Sequence, residues 1–520
     1  MTVSRNTLET GRSGEELAGV MTTTKASQSF DVVVVGAGTA ALSTAIAAHE
    51  LGAKRIVVLE KAPEPEFGGN PRFSHSGFRW VQSGKDEVRQ FLPDIDQETW
   101  AKLEFRPYTE EEFHDHISRA TRGKMKPELQ EVLVSESNAA MHWLLDIGMK
   151  WEPDSGSAHM EVGGKFYFEP GYSVQPLDGG LAQLECLREI ALGRGVEIRY
   201  ESRVAGLLGN MHQFEGVHVA TPDTEYDLHG TATVLCAGGF QANRAARARY
   251  LGPNADLMTV RGSRHNTGEV LEMALSLGAG ASGHWKTGHA SVVDANAPDF
   301  GGMNHPNRYS YPYGITVNTR GRRFVDEGSN LRMMTYARMG WITLAEPDGM
   351  AYQIFDQKIV GEQEEGNSVF RREYYRSAPE RFEADTIGEL AHMIGVVPEV
   401  LEHTVSQFNA ACDDSVTFKP NERDGKATKG LEIPKSNWAV PIDQPPFVAY
   451  PVTAGITFTF GGLDVTSDSQ VLNTAGKPIK GLYAVGDIVG LFYHGYVGST
   501  GQTRNVVFGM RAARHAVVGW

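Results

Sequence analysis

The period of apolar and polar positions changes along the chain, and those changes divide it into elements. Residues 30–62 read FDVVVVGAGTAALSTAIAAHELGAKRIVVLEKA. Asp31 is followed by the unbroken run Val32–Val35, a composition suited to a strand buried on both faces. Leu42 to Leu51 reads as a helix, and Arg55 to Leu59 as a second apolar strand that ends in Glu60. The stretches VEIRYESRVAGLLG and FEGVHVATPDTEYDLHG alternate apolar and polar residues, as antiparallel strands do. TATVLCAGGF (Thr231 to Phe240) and IKGLYAVGDIVG (Ile479 to Gly490) are short apolar strands running into small residues. GSTGQTRNVVFGMRAARHA, from Gly498 to Ala516, is a glycine- and hydroxyl-rich turn leading into a helix.

Between these segments the pattern is different. YGITVN reads as a strand, TIGELAHMIGV and PEVLEHTVSQFNAACDD read as helices, and a polar Gly/Lys-rich loop lies near 421–430. The chain is therefore predicted to be α/β, with a split Rossmann-like domain of the glutathione-reductase type. Its parts are 29–285 and 445–520, with an inserted α+β capping domain at 286–444 and a flexible tail at 1–28. A ligand is expected in the crevice between the two.

The first turn carries the chemistry. Gly36 and Gly38 with Ala41 form G-x-G-x-x-A. The first glycine allows a tight turn, the second lets the backbone approach a pyrophosphate, and the alanine allows close helix–strand packing. The N–H groups that open the helix then face the phosphates, and Glu60 is placed for ribose hydroxyls. Strand, turn, helix, strand and acid in this order predict a dinucleotide site. NAD and FAD both fit that unit. In two-dinucleotide-fold flavoproteins an aspartate like Asp487, at the end of a strand-Gly-Asp element, serves a ribityl chain, which favours FAD. A helix N-terminus after Gly498 suits the anion on the pyrimidine edge of reduced flavin.

Composition narrows the partners. The formal charge of −15 over 520 residues argues against nucleic acid or an anionic membrane. No apolar run is long enough to span a bilayer, so an integral membrane protein is not expected. Cys186, Cys236 and Cys412 lie far apart, which leaves no spaced ligands for an iron–sulfur cluster or c-type haem and no metal site. Few cysteines, and a polar N-terminal stretch without an apolar core or twin-arginine pattern, predict a cytoplasmic protein.

The order Gly36-x-Gly38, Glu60, GGNPRF, CAGGF, VNTRGRRFVDEG, FTFGGL and GLYAVGD resembles the flavoprotein subunit family of fumarate reductase and succinate dehydrogenase. Within it, GHASVVDANAPDFGGM and GLFYHGYVGSTGQTRNVVFG resemble the tricarballylate dehydrogenases. The resemblance implies an FAD-dependent oxidoreductase moving a hydride between flavin N5 and a CH–CH bond, as in tricarballylate to cis-aconitate. It implies FAD contacts at Gly36, Gly38, Thr39, Ala40, Glu60, Lys61, Gly68, Gly69, Asn70, Val204, Ala237, Gly238, Gly239, Asp487, Gly501, Gln502 and Thr503. FAD is expected to be non-covalent, because His75 is not in the pattern of the histidine-linked members. With no other redox centre, a separate electron acceptor protein or quinone-linked partner is implied.

Removing hydrogen across a C–C bond needs a group that polarises an adjacent oxygen, a base, and the flavin. Arg308 in MNHPNRYSYPYG is the candidate carboxylate clamp, its planar fork matching a carboxylate, or else a solvated surface arginine. His289 is a second contact for substrate oxygens, or a structural histidine. Tyr496 is a donor or proton carrier that His494 could tune, or an aromatic packed on the flavin. Arg332 is an acid–base candidate one residue out of the family register, with Glu327 orienting it or capping a turn. The segment GITFTFGG has Thr457, Phe458 and Thr459 where fumarate reductases use histidine. The substrate expected is a small polycarboxylic acid. A ketone or 3-oxosteroid, a fumarate-type acid, and a flavin-carrying electron-transfer subunit with no substrate of its own remain alternatives.

Overall fold

The computed structural model describes residues 28–154, 159–162, 164–301, 307–361, 380–420 and 422–519. The tail expected at 1–28 lies outside them except for its last residue.

The first strand, Gln28–Val35, is the middle of an eight-stranded sheet. It pairs in parallel with Ile56–Leu59 on one side and with Glu225–Leu235 on the other. Glu197–Arg199 extends the sheet beyond Ile56–Leu59, and Pro478–Ala484 pairs with Glu225–Leu235. Val32 to Val35 are at most 4% exposed, which accounts for the lack of alternation in that run. Each contributes about 1.5–3 kcal/mol of burial. Leu482 lies opposite Thr233 in this sheet, so the nucleotide lobe is assembled from distant parts of the chain, as expected. The alternating segments form the strands Arg203–Gly209 and Phe214–Ala220, antiparallel to each other. Phe214–Ala220 is also antiparallel to the start of Glu225–Leu235, whose other end enters the parallel sheet.

The helix Thr39–Glu50 starts three residues before the expected Leu42. It packs against the last helix, Thr500–Val518, which crosses it closely. Gly509 makes this possible, because a β-carbon there would sit 2.9 Å from Thr44 Oγ1. A helical layer of Glu110–Thr121, Pro127–Ser135 and Ser137–Asp146 leans on the same lobe.

The cap sheet is built around one long strand, Phe447–Thr459. Gly288–Asp294, Met350–Phe355 and Phe382–Ala384 pair with it antiparallel, and Thr259–Val260 pairs in parallel. Ile315–Asn318, the YGITVN strand, lies outside Met350–Phe355. The helices Ile387–Met393 and Pro398–Ala411 pack together beside it. The boundaries expected at 285 and 445 therefore differ from the topology. Thr259–Val260 and Phe447–Thr459 join the cap sheet, although both fall in segments assigned to the nucleotide domain. A strand as uniformly apolar as FVAYPVTAGITFT carries no period that says which sheet it enters.

Candidate active site

A cleft runs along the carboxyl ends of the parallel strands, where open α/β sheets bind ligands. Gly36, Gly38, Thr39, Ala40, Glu60, Lys61, Gly68, Gly69, Asn70, Val204, Ala237, Gly238 and Asp487 all line it. Gly36 has φ +105°, and a β-carbon there would lie 2.6 Å from the Cys236 carbonyl oxygen. No other residue fits. Gly38 precedes the helix Thr39–Glu50 and caps it with no side chain, which leaves the first N–H groups facing the cleft for an anion.

The Glu60 carboxylate is oriented from both sides. Oε2 accepts from Ala37 N at 2.9 Å and Oε1 from Ala62 N at 2.8 Å. Burial raises its pKa, against those two N–H donors and the nearby Lys61 and His265 charges. Lys61 Nζ donates to Thr267 Oγ1 at 2.6 Å and lies 3.6 Å from Glu269. Asp487 accepts from Arg504, and Asn505 Oδ1, also at the cleft, is a sealed acceptor with no partner among the described residues. Backbone N–H groups, the Glu60 carboxylate and these polar groups along one trough fit a dinucleotide of FAD length.

Gly239, Gly501, Gln502 and Thr503 do not line this cleft. The last three belong to the start of the final helix. Thr503 exchanges hydrogen bonds with the Arg79 backbone, Gln502 Nε2 donates to Ser76 Oγ, and Gly501 N donates to Tyr496 Oη. Cleft residues the sequence did not flag include Ser202, Ser263, Asn266 and Asn505. Asn266 Nδ2 donates to Asn70 Oδ1 at 2.9 Å, and Asn70 Nδ2 donates to the Thr457 carbonyl at 2.6 Å. That pair ties the glycine loop to the cap strand. Single amides in loops have no spacing that announces such a role.

The cap contributes a second cluster. His289, on Gly288–Asp294, stacks on Phe458 with centroids 5.5 Å apart. Tyr336 and Tyr496 meet its ring edge-on at 5.1 and 5.2 Å. His289 Nδ1 is 2.9 Å from Thr457 Oγ1, which also accepts from Arg261 Nη1 at 2.7 Å. Thr457 Oγ1 can either donate its own proton to Nδ1 or accept a second hydrogen bond from it, so both tautomers of the neutral ring satisfy this contact. Burial, and then the Arg261 charge, hold His289 well below the usual histidine range. It is neutral at pH 7.

Arg261 was not anticipated, because an isolated arginine in TVRGSRH has no motif around it. Its Nε donates to Asn307 Oδ1 at 3.1 Å and its Nη1 also to Ser291 Oγ at 2.9 Å. Arg261 and Arg332 each lie near the Tyr309 ring, at 6.0 and 5.7 Å from its centroid. Tyr496 Oη accepts from Gly501 N at 3.1 Å, and burial raises its pKa.

Arg308 is placed otherwise than as a clamp. It is fully buried, with Nη2 on Asp294 Oδ2 at 2.5 Å and Nη1 on the Asn307 carbonyl at 2.9 Å. A charge that deep is tolerated only with a partner, and Asp294 takes that part. Glu327 accepts from Arg323 and from Thr316 N, so it does not orient Arg332. His494 is exposed and stands edge-on to His284, away from the Tyr496 hydroxyl's hydrogen bond. Among the described residues no cluster of His, Cys, Asp and Glu could hold a metal, and no helix is long and apolar enough to cross a membrane.

The fold, the cleft and the neighbouring polar cluster define an FAD-dependent oxidoreductase. The chain belongs to the FAD binding domain family, whose model matches residues 31–503, within the fumarate reductase and succinate dehydrogenase flavoproteins. It is 25% identical over 493 residues to NADH:fumarate oxidoreductase of Klebsiella pneumoniae (strain 342), covering 94% of this chain and 48% of that one. The chain thus spans about half the length of that relative. It is 25% identical over 505 residues to vinyl phenol reductase of Lactiplantibacillus plantarum, 89% of this chain and 90% of that one. The open conformation of a flavocytochrome c3 fumarate reductase superposes with TM-score 0.70 at 25% identity, over 95% of this chain and 79% of that one. The proteins it is similar to are reductases and dehydrogenases acting on CH–CH or C=C bonds, and this chain is an enzyme.

Proposed function

We propose that the protein interconverts the saturated and α,β-unsaturated forms of a small carboxylic acid, with FAD held non-covalently. The observation that carries this reading is that Arg261 and Arg332 both stand near the Tyr309 ring, beside a neutral His289. Two guanidiniums at one site offer the forked donors that match a carboxylate. FAD, when bound, supplies the hydride acceptor or donor.

The chain's own residues hold and polarise the acid. Arg261, fixed by Asn307, Ser291 and Thr457, is oriented before the ligand arrives. In the tautomer with its hydrogen on Nε2, His289 donates to a carboxylate oxygen without adding charge, which favours the build-up of negative charge there when the α-proton is lost. Tyr496 Oη accepts from Gly501 N, so its own proton is available to a second oxygen. Polycarboxylates, with tricarballylate as the type suggested by sequence resemblance, are the first class to test.

A ketone substrate is the second reading, favoured by the phenols of Tyr172, Tyr309 and Tyr336 in one cluster, which suit a neutral oxygen. An electron partner outside this chain, and a reducing cytoplasmic setting suited to its free thiols, belong to the same proposal.

The test is anaerobic addition of tricarboxylates, dicarboxylates, unsaturated acids with a reductant, and 3-oxosteroids to the flavin-loaded enzyme. The flavin absorbance is followed throughout. Reduction or reoxidation by one or more acids is expected. A response to steroids alone overturns the acid reading. Acid precipitation should release all the flavin into the supernatant; yellow colour left in the pellet means a covalent bond.

A further inference from the structure

We infer that Tyr336 is a catalytic residue of this site, its phenol donating the hydrogen bond to the substrate oxygen that gains negative charge when the α-proton is absent. The inference rests on the carbonyl-activated C–C chemistry proposed above.

Tyr336 stands one turn after Arg332 on the helix Arg332–Leu344, so the two side chains share a face. It is 9% exposed. Its ring is fixed on two sides, edge-on to His289 at 5.1 Å and to Tyr309 at 5.3 Å. Its hydroxyl reaches toward the turn that carries Tyr496 and opens the last helix. A β-carbon on Gly498 would be 3.4 Å from Tyr336 Oη and 2.9 Å from Met333 Cε. Gly498 is thus the space that keeps this hydroxyl clear.

The neighbouring phenols are engaged. Tyr309 Oη donates to Ser291 Oγ at 3.2 Å, Tyr311 Oη pairs with Thr335 Oγ1 at 2.5 Å, and Tyr496 Oη accepts from Gly501 N at 3.1 Å. Tyr336 Oη makes no hydrogen bond among the described residues, and it is not one of the sealed polar atoms. The hydroxyl is therefore open to the site, where a ligand oxygen can take its hydrogen bond in place of water.

Direction of function follows from the environment. Burial first, then the neighbouring phenols of Tyr496, Tyr309 and Tyr172, raise the Tyr336 pKa well above the ordinary tyrosine value. The group stays protonated and acts as a donor, not as a base. In the dehydrogenating direction the α C–H bond breaks, its proton passes to water and its electron pair moves onto the carboxyl or carbonyl oxygen, to which Tyr336 donates. The pair then returns to form the C=C bond as the β-hydrogen leaves as hydride, for which FAD, when bound, would be the acceptor. Tyr336 keeps its own proton throughout, so the step balances without it changing state.

The experiment compares wild type with Tyr336→Phe and Tyr309→Phe, all loaded with FAD, using every acid and ketone that reduces the wild-type flavin. Flavin content, the absorption spectrum and thermal midpoint are read alongside. Tyr336→Phe should keep its flavin and midpoint while the rate of flavin reduction falls about a hundredfold or more, with KM within about threefold. Tyr309→Phe should lose less than about tenfold, because its hydroxyl is bonded to Ser291. Equal rates for wild type and Tyr336→Phe overturn the role of Tyr336 and leave the proposed activity standing. A rise in KM with unchanged rate overturns it too, since that marks plain binding. If no acid or ketone reduces the wild-type flavin, the proposed activity fails and this role fails with it.

Discussion

The nucleotide cleft and the cap cluster are built by different means. The cleft is lined by backbone and small residues from short contiguous stretches, and Gly36, Gly38 and the start of Thr39–Glu50 lie within one turn of chain. The cap cluster is made of side chains. Arg261, His289, Tyr309 and the helix pair Arg332 and Tyr336 come from separate parts of the chain and meet only because Thr259–Val260 and Gly288–Asp294 flank Phe447–Thr459. A site made of backbone tolerates little variation and is legible in sequence. A site made of side chains on a sheet can be rewritten one residue at a time, which suits a family whose members act on different substrates.

If that contrast is sound, the largest effect belongs to the cleft. Gly36→Val places carbon where the Cys236 carbonyl stands, at a φ that side chains rarely adopt. We expect FAD affinity to fall more than about a hundredfold, from strain and blocked approach together. Fluorescence titration of the apoprotein checks this, and near-normal binding breaks the account of the turn.

Next is Arg308→Ala, which leaves Asp294 buried without its partner. The loss is expected to be about 3–5 kcal/mol of stability, read as a lower thermal midpoint, with little change in KM. A stable variant with a raised KM would return Arg308 to the substrate.

Arg261→Ala should act in the opposite way. A loss of about 2 kcal/mol in substrate binding, roughly thirtyfold in KM, is expected with the flavin spectrum unchanged. An unchanged KM removes Arg261 from the site and weakens the acid reading.

The smallest effect concerns pH. Folding lowers the pKa of His289, so the folded chain excludes a proton that the unfolded chain takes up below its ordinary value of 6.5. The contribution of His289 is therefore intact above that pH and is lost as pH falls below it. His289→Gln should flatten the decline in stability between pH 7 and 5 by about 1 kcal/mol per pH unit. Parallel curves for both proteins would mean that the ring takes a proton in the folded state.

How much was legible follows from these same residues. The valine run, the G-x-G turn and Glu60 are neighbours in sequence, so their spacing carries their meaning, and all lie where they were expected. His289 and Tyr496 were recognised only through resemblance, and they do meet, edge-on at 5.2 Å. Arg308 was misjudged because a fork of donors says nothing about whether an acid already sits against it. Arg261 and Tyr336 were missed because neither belongs to a local pattern.

Taken alone, the chain's own order of residues determined a parallel nucleotide-binding sheet and the trough along its edge, because contiguous backbone geometry makes both. Only the tertiary structure decided that Arg308 is paired with Asp294, which phenols share a cluster with His289, and which sheet Phe447–Thr459 joins. Those outcomes depend on which distant charges and hydroxyls share one buried space, and burial is a property of the packed chain rather than of any stretch of it.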